Sequence, residues 1–147
     1  MTKQPILANA LPDCTCYRLR QAARLLSRSY DGFLISCGIS IGQFGLLATI
    51  AGMEAASIST IADTMKMDRT TLTRNLTPLQ RIGYVVTEPG SDGRSRSLRL
   101  TASGKKAFTA AMSKWRAAQI DFEKQLGTSR VKQLNADLDG LLKKLPN

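Results

Sequence analysis

Most of the chain repeats its apolar residues at helical spacing, and one short stretch repeats them at a spacing of two. Over residues 13–36, Leu19, Ala22, Ala23, Leu26, Tyr30, Phe33 and Leu34 recur every three or four positions, the repeat that lines one side of an α-helix. Asp13 stands as its expected N-cap and Gly38 as its stop. Residues 1–12 carry Pro5 and Pro12 and predict an irregular arm. Ser40 and Gln43 form the pattern of a capping box, so a second helix starts there, with Leu46, Leu47 and Ile50 inward and Gly52 at its end. Ser57 predicts the cap of a short third helix reaching Met65, with Ile58, Ile61, Ala62 and Met65 on one side. Asp68 predicts the cap of a fourth, with Leu72, Leu76 and Leu79 inward, Gly83 as its stop, and a kink at Pro78. Two short helices joined by Lys66 and Met67 make a helix-turn-helix.

The period then changes. Residues 84–88 are β-branched and aromatic, residues 89–93 are dense in turn formers, and residues 94–100 alternate towards Leu98 and Leu100. This predicts a two-stranded hairpin with a basic tip, a wing beside the helix-turn-helix. Thr101 caps a long fifth helix reaching Leu126, striped by Phe108, Ala111, Met112, Trp115, Phe122 and Leu126. After Gly127 a sixth helix carries Val131, Leu134, Leu138, Leu141, Leu142 and Leu145. The expected fold is mainly α with a small β-hairpin wing. It is one domain over 1–147, in which long helices at 13–38 and 101–147 flank a winged helix-turn-helix lobe at 40–100. Helices of that length outrun a small core, and a second copy of the chain is the simplest cover.

Charge sharpens this picture. The chain carries a formal net charge of +10, and basic excess speaks of partners rather than fold. Residues 66–106 hold nine bases against three acids, whereas residues 41–65 hold no base. Such concentration suits a phosphate-binding face. With 147 residues and no histidine, the chain offers neither a histidine-based triad nor a usual catalytic zinc set, and we expect no metal, cofactor or enzymatic activity. No apolar run approaches the ~20 residues of a membrane span. The N-terminus shows no basic-then-apolar leader, so a cytoplasmic protein without a membrane partner is expected.

The fourth helix would expose Arg69, Thr70, Thr73, Arg74 and Thr77 opposite its leucines. Short hydroxyls near a helix N-terminus allow close approach to phosphate, and Thr71 belongs to the same first turn. An arginine one turn further in, Arg74, can fork onto guanine O6 and N7, a contact worth about 1–3 kcal/mol of base discrimination. Arg94 at the hairpin tip suits a narrow minor groove. Asp92 is expected to close the turn and hold an arginine, with Arg96 as its candidate partner.

The run Asp68-Arg69-Thr70-Thr71-Leu72-Thr73-Arg74-Asn75-Leu76-Thr77-Pro78-Leu79, with Gly83, Tyr84 and Val85 after it, resembles the recognition helix of the MarR (multiple antibiotic resistance regulator) family. So does the wing Asp92-Gly93-Arg94-Ser95-Arg96-Ser97-Leu98-Arg99-Leu100-Thr101, followed by Gly104. The order and lengths of elements match from about residue 13 onwards; the flanking helices match by pattern only. The resemblance implies a homodimer held by the first, fifth and sixth helices. It also implies a pseudo-palindromic double-stranded DNA operator, usually repression, and release by a small, often aromatic ligand or by cysteine oxidation. Cys14 and Cys16 are candidate redox sensors at a helix start, or else two small inert residues. On a helix they project to different sides, which opposes a bridge between them. Cys37 is read as filler. Tyr17, Tyr30, Phe33, Phe44 and Trp115 are candidates for a ligand pocket, or else plain core. The rival function is a nonspecific architectural DNA-binding protein, which would bind random duplex as tightly as any promoter.

Overall fold

The structure is a computed structural model that describes residues 11–146. Residues 1–10, where most of the expected arm falls, lie outside it. Each helix begins where a polar side chain satisfies free backbone amides, with two exceptions. Pro12 sets a 3-10 turn at Leu11–Asp13, and the Cys14 amide bonds the Leu11 carbonyl at 3.1 Å. That turn leaves Asp13 one residue too early to cap. The N-cap of α1 (Thr15–Leu34) is therefore Cys14, without a side-chain bond, and the Asp13 carboxylate lies 3.8 Å from Arg18 instead. A 3-10 turn at Ile35–Cys37 then ends on Gly38, whose φ of 68° reverses the chain.

The expected capping box forms at the start of α2 (Ile41–Gly52): Gln43 donates its amide to Ser40 Oγ and accepts from the Ser40 amide. Asp31 of α1 adds a bond from the Ile41 amide at 2.6 Å, which locks the two helices across a 73° break. Ser57 caps α3 (Ile58–Met65), and Lys66 closes it with φ 54°, a left-handed turn that the sequence did not announce. Asp68 caps α4 (Arg69–Arg81), which continues unbroken through Pro78. Thr101 caps α5 (Ala102–Leu126). At the second exception, Gly127 (φ 97°) starts α6 (Thr128–Lys144) without any side-chain cap.

The wing has three strands where two were expected. β2 (Val85–Pro89) and β3 (Arg96–Leu100) pair antiparallel, with Val85 opposite Leu100 and Pro89 opposite Arg96. A two-residue β1 (Ala56–Ser57) adds to the other side of β3, giving the order β1-β3-β2. Two residues carry no readable period, so β1 is visible only through its partner. β3 starts at Arg96 rather than Arg94 because the Gly90 amide bonds the Ser95 carbonyl at 2.7 Å and closes the turn first.

One apolar core joins the lobe. Leu34, Leu46, Leu47, Ile61, Leu72, Leu79, Val85 and Leu98 are fully buried in it, so the inward leucines of α4 stand as expected. The outer helices behave differently. On α1 only Tyr30 and Leu34 are buried, and on α6 only Val131. Among the described residues no single helix is long and apolar enough to cross a membrane.

Candidate nucleic-acid interface

The exposed face of α4 is set by its first turn. Asp68 accepts from the Thr71 amide at 2.8 Å and from the Thr71 hydroxyl at 2.7 Å. The Thr71 hydroxyl and amide hold the Asp68 carboxyl below the usual carboxylate range. Thr71 stays exposed, its amide on Asp68 as the cap was expected to bond and its hydroxyl on the same carboxylate, outside the face formed by its neighbours. Arg69, Thr70, Thr73, Arg74 and Thr77 instead line one open concavity of about 410 Å³. The hydroxyls of Thr73 and Thr77 donate back to the carbonyls of Arg69 and Thr73. Those two threonines offer a methyl group and an acceptor lone pair, and Thr70 is left as the free donor among them. Neither arginine of this face meets an acid among the described residues.

The wing tip is built by Asp92. Its Oδ1 accepts from the amides of Arg94 and Ser95 and from the Ser95 hydroxyl at 2.7–3.0 Å. These three donors, the Ser95 amide first, pull the carboxyl down to about 2. Asp92 closes the turn as expected, but through the backbone. It holds the guanidinium of neither Arg94 nor Arg96: the donors it takes are the amides and the hydroxyl of the turn itself. Both arginines stand exposed around a second concavity of about 440 Å³. The ion pair of the wing lies elsewhere, between Arg99 and Glu88 across β3 and β2.

Helix and wing are tied together at Gly83. Thr101 and Ser103 both donate to its carbonyl, at 2.6 and 3.1 Å, and Gln80 Nε2 donates to Thr87 Oγ1 at 2.9 Å. Gly104 packs so closely that a Cβ there would lie 2.0 Å from the Tyr84 carbonyl oxygen. None of these ties was visible in the sequence, where no periodicity marks a contact between residues seven to twenty positions apart.

The family model of the MarR family matches residues 38–95. The crystal structure of the M. tuberculosis transcriptional regulator MosR in complex with DNA is 34% identical, covering 90% of this chain and 99% of that one, with a TM-score of 0.73. The chain belongs to the MarR family. Its members are DNA-binding transcriptional regulators. The CouR repressor bound to a 23-mer DNA duplex shares the fold at 19% identity and TM-score 0.81, covering 90% and 95% of the two chains. CouR from Rhodococcus jostii RHA1 bound to p-coumaroyl-CoA is 18% identical at TM-score 0.76, covering 94% and 98%. No curated protein sequence matches the chain.

The other candidates of this MarR-family chain do not converge on one site. Cys14 and Cys16 are both exposed, and Cys37 is half-buried against the core. Cys14 is a capping residue in extended backbone, so only Cys16 sits within the helix. Among the described residues, the five aromatics do not come together around one cavity. Phe44 stacks on Trp115 (centroids 5.8 Å apart, planes 16°) and meets Phe108 at 5.3 Å, so two of the five are core. Aromatic rings at helical spacing reach the core first because burial of their area is favourable. Tyr30 donates to Gln119 Oε1 at 2.6 Å, and burial, with Glu123 nearby, raises its phenol above the usual range. It lines a shallow groove of about 230 Å³ with Ala23, Leu26, Ser27 and Ile41. Tyr17 is exposed and Phe33 half-buried, and neither joins that groove.

Proposed function

We propose that the chain is a homodimeric, operator-specific repressor. In this reading α4 enters the major groove and the wing tip the neighbouring minor groove. Arg74 would read a base, Arg69 and Thr70 would meet phosphate, and Arg94, with Arg96 beside it, would occupy the minor groove. One observation carries the reading. The exposed faces of α4 and of the wing tip each present arginines without an acid partner among the described residues, while the wing's own acid, Asp92, is consumed by its turn. The related MosR was solved in complex with DNA, which supports the same use of these elements here.

Dimerisation rests on apolar surface. Among the described residues, all the large apolar side chains that stand exposed, Ile82 apart, lie on or beside α1, α5 and α6; Leu19, Leu25, Ile120 and Leu134 are among them. A surface of that kind needs a partner. We further propose that oxidation of Cys14 or Cys16, or a small molecule, releases the DNA. The accessible thiols support the first, and the p-coumaroyl-CoA complex of CouR supports the second.

The test is a mobility-shift titration against the palindrome in the chain's own promoter and against random duplex, with reduced, oxidised and phenolate-treated protein. Strong preference for the palindrome is expected, with its loss on one of the two treatments. Equal affinity for both duplexes would make the protein an architectural DNA binder instead.

A further inference from the structure

The backbone of α4 is weakest just before its last turn. Pro78 has no amide to donate, so the Arg74 carbonyl loses its helical partner. The following residues, Leu79 to Arg81, lead directly into the wing. Gly83 (φ 79°) and the bonds to its carbonyl fix where the wing begins, but they act at the pivot itself. Core burial of Val85, Leu98 and Leu100 and the pairing of β3 with β1 hold the inner part of the sheet to the lobe. Among the described residues, one side-chain hydrogen bond joins α4 itself to β2: Gln80 Nε2 to Thr87 Oγ1, 2.9 Å and partly buried. Gln80 falls at the border between the leucine face of α4 and its exposed face. Thr87 pairs across to Leu98, which is fully buried, so the wing end of the bond is anchored in the core.

We propose that Gln80 is a positioning residue whose bond to Thr87 holds the wing at a fixed tilt to the recognition helix, and that this tilt selects DNA on which both elements engage at once. The inference rests on the proposed entry of α4 and the wing into adjacent grooves. A rigid tie makes the two contacts interdependent, because a duplex whose minor groove lies at the wrong distance costs one contact when the other forms. Without the tie the two contacts are coupled less tightly and groove shape matters less.

The test uses the full-length protein. Thr87→Val keeps the side-chain shape and removes the hydroxyl; Thr87→Ser keeps the hydroxyl. Thr87→Val is expected to weaken operator binding about tenfold, the scale of one ordinary hydrogen bond in each of two protomers. Thr87→Ser should restore most of it, with the melting temperature of both variants close to that of the parent protein. The losses from Arg74→Ala and Arg94→Ala, measured singly and together, should be non-multiplicative in the parent protein and closer to multiplicative in the Thr87→Val background. Operator binding unchanged in Thr87→Val, or the same coupling in both backgrounds, overturns the proposal. So does a loss in Gln80→Leu that Thr87→Val does not share, since Gln80 would then touch DNA directly. If Arg74→Ala and Arg94→Ala are both silent in the parent protein, the groove reading itself fails, and the positioning role fails with it.

Discussion

Single residues in this chain act mainly by accepting or excluding contact with backbone. Gly104 is the clearest case: its missing side chain is the space that the Tyr84 carbonyl occupies. Gly104→Ala is expected to cost about 2 kcal/mol, a fall in unfolding midpoint of about 5 °C, measured by thermal melting. A melting curve identical to the parent's would mean that α5 shifts freely at its first turn. Asp92 is the second case. Its folded pKa of about 2 lies below the ordinary 3.8, so its contribution to the wing turn is present in full above pH 4 and fades as pH falls towards 2. A carboxyl titration by NMR should place its midpoint near 2. A midpoint near 4 would mean that the turn opens in solution.

Elements matter through the faces they share. α4 gives Leu72, Leu76 and Leu79 to the core and leaves Arg69, Thr70, Thr73, Arg74 and Thr77 outside, so its binding face can change without unfolding the lobe. Arg74→Ala is therefore expected to flatten base preference at one operator position, about 1–3 kcal/mol in a competition assay, with unchanged stability. A uniform loss on every sequence would make Arg74 a phosphate contact. α2 and α5 are joined by the stack of Phe44 on Trp115. Removing that ring by Trp115→Ala should cost about 3 kcal/mol in urea unfolding. It would also loosen the middle of α5 from the lobe, so operator affinity should fall with it.

At the scale of the molecule, the lobe closes its core with Leu34 of α1 and Ala111 of α5, while most of the apolar surface of the outer helices stays uncovered. α1 and α6 bury three side chains between them, Tyr30, Leu34 and Val131. Leu19→Glu together with Leu134→Glu places charge on their exposed apolar faces. Sedimentation should then show a monomer where the parent protein is expected to sediment as a dimer, with operator affinity lost by far more than either lobe substitution achieves. A double variant that still sediments as a dimer would move the interface to another surface.

What local chemistry decides was legible before any coordinates. Ser40 with Gln43, Ser57, Asp68 and Thr101 each cap a helix, because a cap needs only a side-chain oxygen within three residues of a free amide. The leucine face of α4 and its arginine face follow from a fixed period. The failures share a cause. Asp13 lost its cap to a turn set by Pro12, and Asp92 turned to amides rather than to Arg96. In each, two plausible partners lay within a few residues, and only the folded backbone chose between them. Strand β1, the Gln80–Thr87 tie and the close approach at Gly104 join residues distant along the chain. Such contacts carry no period of their own, so they exist only once packing has brought their elements together.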